Sequence, residues 1–293
     1  MIERSPRVNR RTLLAATLAT GVLGSACGTV DRQPLRTSKP GAPTVASLVA
    51  TDPFYIAHRG GGGDWPEMTA YAYAQAAKVP GLKALEVSVC ISSDGVLVCS
   101  HDPTTARLTG TGYTIADETW ETLSTLLVSG AETLRPSQPG QPLTRFDDVV
   151  EAYIDDFVLF VEPKVSPAVG PLMERMATLA QPDRVVWKQP INSSAFSTAK
   201  KHGFATWGYV LDEPSHVGSN LTRLARSADI DLLGAPRAGS DDFIRSVSQA
   251  ATANGKPTIS WAIRNPEDRA RVLALGCRGL MTSNVSEVLS TPI

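Results

Sequence analysis

Between residues 56 and 102 the chain gathers side chains suited to moving protons beside an anion. His58 and Arg59 lie in Ile56-Ala57-His58-Arg59-Gly60, and His101 opens His101-Asp102, so two of the four histidines fall in this stretch. Glu67 sits in Pro66-Glu67-Met68-Thr69, Glu86 in Leu85-Glu86-Val87-Ser88-Val89, and an Asp94-Gly95 turn precedes the second histidine. Two imidazoles can deprotonate a nucleophile and protonate a leaving alkoxide near neutral pH. A guanidinium offers a planar fork to two phosphoryl oxygens, and carboxylates suit a hard divalent cation. Phosphate diester hydrolysis is the chemistry these types supply together.

The elements that must position them alternate in type. Short apolar runs predict strands over Phe54–Ala57, Leu82–Val89, Val158–Glu162, Val185–Lys188, Ala205–Val210, Leu232–Gly234, Thr258–Ala262 and Gly279–Thr282. Helical stretches fall between most of them, among them Thr69–Lys78, Phe146–Tyr153, Asp241–Ala253 and Pro266–Leu275, with Ser240 and Asn265 as N-caps. Such alternation predicts parallel strands joined by crossover helices. Residues 51–293 match the about 250 residues of one (β/α)8 TIM barrel. The pattern breaks after the second strand. Val96–Ser100 returns as a hairpin arm, and residues 103–142 have little periodicity, which predicts a hairpin and loop insertion over one barrel end.

Active sites of such barrels gather at the C-terminal strand ends. His58 and Arg59 close the first strand and Glu162 closes the third, with Lys164 just beyond it. Glu86 and Ser88 share one face of the second strand, because side chains alternate with period two. The run from Gly60 to Gly63 has no helix directly after it and reads as a flexible loop.

Composition narrows the partners. The chain has 293 residues and net charge −1, and a leader over 1–26 carries four arginines against Glu3, so the remainder stands at −4. No basic field invites nucleic acid or an anionic membrane surface. Asn9-Arg10-Arg11-Thr12-Leu13-Leu14 and the apolar run to Ala26 read as a twin-arginine export signal, which implies a bacterial cell envelope. Leu23-Gly24-Ser25-Ala26-Cys27 is similar to a lipoprotein box, so Cys27 is the expected lipid anchor and the expected membrane contact. Residues 27–50 read as a flexible tether. Export leaves two readings for Cys90 and Cys99. A two-residue turn would pair them across the hairpin, within reach of a disulfide. A three-residue turn with a Gly95 bulge would put them on opposite faces.

Residues 54–102 resemble the glycerophosphodiester phosphodiesterase family, whose pattern runs His-Arg-Gly, Pro-Glu-Asn-Thr, Glu-x-Asp, Asp-Gly and His-Asp. Val161-Glu162-Pro163-Lys164 is similar to its Glu-x-Lys strand, and Trp261 with Leu275–Thr282 to its closing segments. The resemblance implies a TIM barrel that hydrolyses a small glycerophosphodiester to glycerol phosphate and an alcohol. His58 and His101 would be its acid/base pair, and Arg59, Glu67, Lys164 and Trp261 its substrate contacts. Glu86 and Glu162 would hold a divalent cation, calcium or magnesium, with Ser88 as a weak third ligand. The departures from the pattern are specific. Ser88 stands where the family has a metal-binding aspartate, and Met68 replaces an asparagine. Ser283 replaces an aspartate, and Lys188-Gln189-Pro190 stands where Ser-Phe is common. A hydroxyl at 88 brings no charge, so the alternative expectation is a weakened barrel that binds phosphodiester or envelope ligands.

Overall fold

The computed structural model describes residues 41–130, 133, 139–213 and 215–292. The expected export signal, its cleavage junction and Cys27 lie outside the described residues. Eight parallel strands close a barrel: β1 (Phe54–Ala57), β2 (Ala84–Ile91), β6 (Val158–Pro163), β7 (Val185–Pro190), β8 (Ala205–Tyr209), β9 (Leu232–Pro236), β10 (Thr258–Ile263) and β11 (Gly279–Thr282). Closure falls on β1, which pairs with β11 at Tyr55–Leu280 and with β2 at Ala57–Leu85. Between β2 and β6 lie β3 (Leu97–Cys99), antiparallel to β2, and a two-stranded ribbon of β4 (Leu127–Val128) and β5 (Gln141–Pro142).

Strand alternation sorts the side chains into two cores. Ile56, Phe160, Val186, Trp207 and Met281 point into the barrel, while their neighbours Ala57, Val161, Trp187 and Leu280 pack outward against the helical shell. That parity decides the site. Counting on by two from Ala84, Phe160 and Val186 puts Glu86, Ser88, Glu162 and Lys188 on the interior face, toward the C-terminal mouth. The shell contains α2 (Ala70–Ala76), α5 (Phe146–Tyr153), α6 (Ser166–Ala177), α7 (Phe196–Lys201), α8 (Ser219–Ala225), α9 (Asp241–Thr252), α10 (Pro266–Ala274) and α11 (Val285–Ser290). Ser240 and Asn265 cap α9 and α10 as their types predict.

Of the tether expected over 27–50, residues 27–40 lie outside the described residues, and the last part is helical. Val45–Val49 forms α1, capped reciprocally by Thr44 and Ser47, and Leu48 is buried among Phe54, Ala84 and Val158 at the N-terminal strand ends. A capping box and one buried leucine turn a tether-like sequence into a plug for the lower mouth, the leucine contributing about 1.5–3 kcal/mol.

The hairpin takes the second of its two registers. Cys90 faces Val98 and Val89 faces Cys99, with Gly95 at φ 85° in the turn. The two thiols therefore lie on opposite faces, and Cys90, Cys99 and Cys277 are free and buried. Beyond the hairpin come α3 (Ala106–Thr109) and α4 (Trp120–Leu123). Leu108, Ile115, Leu123 and Val128 pack with Cys90 and Val98 into a small core of their own. Among the described residues of 103–142 the weak periodicity thus reflects short elements packed against β2 and β3.

Candidate active site

The C-terminal mouth opens on a cavity of 980 Å³ that His58, Arg59, His101, Lys164, Lys188 and Trp261 border. His58 and Arg59 occupy a tight turn directly after β1, where Arg59 takes φ 54° and Gly60 φ 72°. That left-handed backbone costs a non-glycine residue about 1–3 kcal/mol and is held by its surroundings. Here the Arg59 N–H donates to Glu86 Oε2 at 2.7 Å, and the Arg59 carbonyl accepts from the Met68 N–H at 3.0 Å. Met68 itself stands at φ 59°, a backbone region that asparagine enters more readily than methionine.

The glycine run is packed, in contrast to the flexible loop its sequence suggests. A Cβ on Gly61 would meet the Trp65 ring at 2.8 Å, and one on Gly63 would meet Asn284 Oδ1 at 2.3 Å. These glycines let the loop close down on the β11–α11 junction.

The two histidines differ in their partners. His58 Nδ1 hydrogen-bonds Ser283 Oγ at 2.8 Å, and its Nε2 lies 3.9 Å from Glu86 Oε2. Burial pushes its pKa down to about 3 against the pull of Glu86, so the ring is neutral at pH 7. His101 Nδ1 donates to Asp102 Oδ1 at 2.8 Å, which leaves the lone pair on Nε2, 3.3 Å from Lys164 Nζ. Burial, then Arg59 and Lys164, lower the His101 pKa as well. Burial raises the Asp102 pKa, but the bonds from His101 and Arg107 outweigh it and hold the group ionised.

Arg59 Nη1 contacts both oxygens of Glu67, at 3.2 and 3.1 Å. Arg107 spans Glu67 Oε1 and Asp102 Oδ2, each at 2.6 Å. Glu67 therefore orients Arg59 and ties the insertion to the barrel. Trp261 stacks edge-on against Tyr209 with ring centroids 5.5 Å apart, forming the apolar wall of the cavity.

Glu86 and Glu162 do come together, but with a cation already between them. Lys188 Nζ bonds Glu86 Oε1 and lies 2.7 Å from Glu162 Oε2, an ion pair off the ideal hydrogen-bond direction. Lys164 Nζ and the Tyr209 hydroxyl hold the other Glu162 oxygen at 3.1 and 3.0 Å. Burial alone would raise the pKa of both glutamates, yet the lysine charges hold them below the usual carboxylate range. Ser88 Oγ is buried beside them without a hydrogen-bond partner. Among the described residues no three His, Cys, Asp or Glu side chains converge as a metal cage. The donor set built from Glu86, Ser88 and Glu162 does not fit a divalent cation: two carboxylates are spent on ammonium groups and the third ligand is a neutral hydroxyl.

All nine residues singled out from the sequence border this cavity or line the pit beneath it. Sequence reasoning missed four that complete it: Asp102, Arg107, Lys188 and Ser283. Strand parity from Val186 could have placed Lys188, and adjacency to His101 could have flagged Asp102. Arg107 had no local signal.

Known proteins share this architecture. The Oleispira antarctica phosphodiesterase, solved with its product sn-glycerol-3-phosphate, superposes with TM-score 0.67 at 22% identity, covering 83% of this chain and 98% of that one. The Thermotoga maritima glycerophosphodiester phosphodiesterase gives TM-score 0.64 at 19% identity over 79% and 95% of the two chains. These likenesses show the shared fold. Rat glycerophosphodiester phosphodiesterase 1 is 36% identical over 110 residues, 37% of this chain and 33% of that protein, so the chain spans about a third of that relative's length. The model of the glycerophosphoryl diester phosphodiesterase family matches residues 58–287, from the first site histidine to the last helix, and the chain belongs to that family.

Proposed function

We propose that the chain hydrolyses small glycerophosphodiesters to glycerol phosphate and an alcohol, by acid/base transfer between His101 and His58. The observation that carries this reading is the pair of imidazoles that border one cavity beside Arg59, His101 oriented by Asp102 and His58 by Ser283. His101 is the better acceptor, because Asp102 fixes its proton on Nδ1 and leaves the Nε2 lone pair, which meets Lys164 in the free site, for the attacking oxygen once Lys164 turns to the phosphate. It would take the proton of the attacking oxygen, from water or from the substrate's own glycerol hydroxyl. The new O–P bond forms as the P–O bond to the alcohol breaks.

His58 has Nδ1 engaged by Ser283, so Nε2 is the atom left for the leaving group. An anionic phosphate entering beside it raises its proton affinity, so the ring takes up a proton from solvent as the substrate binds and gives it to the departing alkoxide. Arg59 and Lys164 face the phosphoryl oxygens, while Trp261 and Tyr209 supply a wall for the glycerol carbons. The Oleispira structure with bound sn-glycerol-3-phosphate supports a substrate of that size.

The test is release of glycerol phosphate from glycerophosphocholine, glycerophosphoethanolamine and glycerophosphoglycerol by the full chain. His58→Ala and His101→Ala should each lower kcat about 10²–10⁴-fold, with the thermal midpoint followed alongside. A folded parent chain without turnover on any of the three would overturn the assignment.

A further inference from the structure

The pit below the cavity contains an ammonium group in a site made for a cation. Lys188 comes from β7, on the interior face shared with Val186, and its side chain is 6% exposed. Glu86 and Glu162 flank its Nζ. The Trp207 and Tyr209 ring centroids lie 5.2 and 5.7 Å from it, within cation–π range. Two carboxylates and two aromatic rings therefore surround one ammonium.

The neighbouring position agrees. Ser88 pairs with Glu162 across β2 and β6 and points into the same pit, where its buried hydroxyl finds no partner. A carboxylate there would be a third negative group beside Glu86 and Glu162, and one lysine could not balance it. A serine leaves both the room and the charge for Lys188. The wider count closes too: Glu67, Glu86, Asp102 and Glu162 face Arg59, Arg107, Lys164 and Lys188, four charges of each sign around neutral histidines. A divalent ion entering this network would have to compete with ammonium groups already bound to its carboxylates.

We propose that Lys188 is the resident cation of this active site, standing between Glu86 and Glu162 in place of a divalent metal and offering its remaining N–H to a phosphoryl or hydroxyl oxygen of the substrate. Three donors belong to an ammonium, and the two glutamates use no more than two. Lys188 borders the cavity, which is where a third donor would meet the substrate. The catalytic consequence rests on the phosphodiesterase reading above; the occupancy of the pit does not.

The experiment therefore reads metal binding apart from turnover. The full chain is freed of metal with EDTA, and its thermal midpoint is followed as calcium or magnesium is added. The expected midpoint is unchanged by either ion, and glycerophosphocholine turnover is equal in EDTA and in calcium. The Ser88→Asp/Lys188→Ser double variant should gain a midpoint that rises with calcium and falls back with EDTA. In the Lys188→Met variant kcat should fall about 10²–10³-fold, the scale of losing one preorganised donor, and Lys188→Arg should recover part of it. A parent midpoint that rises on calcium would overturn the proposal, as would a folded double variant without a calcium response. Should the double variant not fold, the parent titration decides by itself. Absence of turnover with an unchanged midpoint would count against the phosphodiesterase reading and leave the cation assignment standing.

Discussion

Asp102 shows how much of this chemistry depends on a residue that need not touch substrate. By accepting from His101 Nδ1 it decides which nitrogen carries the lone pair, and Arg107 locks it from the other side at 2.6 Å. Asp102→Asn keeps the shape but can present an N–H to the ring and favour the other tautomer. The expected result is a kcat loss of about 10²–10⁴-fold with KM little changed, read from Michaelis curves on glycerophosphocholine. The same pair sets a pH dependence. His101 must be unprotonated to act as base, and burial lowers its pKa from the ordinary value of 6.5. Activity should therefore persist below pH 6.5 and fall only as the pH drops through that lowered value. A pH profile of kcat/KM for the free enzyme checks this, an acid limb at or above pH 6.5 being the contrary result. At this scale the sequence was readable where motif and spacing coincide, as at His58, Arg59, Glu86, His101 and Glu162. It was harder to read at Lys188, where parity from Val186 gives the interior face only once Val186 itself is known to point inward. Ser283 is similar: a departure from the family pattern at first sight, it proves to be the partner of His58.

Among the elements, the eight barrel strands were legible to within two residues at each end, because β-branched and apolar runs bounded by turns leave few alternatives. The short elements were not. The plug helix α1 has five residues and lies in a Pro- and Thr-containing stretch, so it has no period to detect, and its stability comes from where Leu48 lands. Leu48→Ala should cost about 2–5 kcal/mol in denaturant unfolding, since it empties a site against Phe54 and Val158. A loss below half a kcal/mol would mean that the helix is not seated in the lower mouth. The insertion was legible as an interruption but not as a packed unit. Its small core is built from single apolar residues of α3, α4 and β4, which converge only after the chain has turned several times. That convergence is also what brings Arg107 onto Asp102 and Glu67.

For the whole molecule, a closed barrel plugged below and polar above concentrates its buried charge at one mouth. Buried ion pairs contribute little to stability against their desolvation cost, so the buried Glu86, Lys188 and Glu162 cluster is better explained by what it does to a substrate. In the proposed reading Arg59 and Lys164 present positive charge to an anion, the histidines exchange its protons, and Lys188, held against Glu162, supplies from the chain the charge that a metal would otherwise bring. The most direct test of that account is the turnover of glycerophosphocholine by the full chain in EDTA, measured as glycerol phosphate released. The account predicts undiminished turnover that is lost in His101→Ala and strongly reduced in Lys188→Met. Turnover that is silent in EDTA and restored by calcium would contradict it.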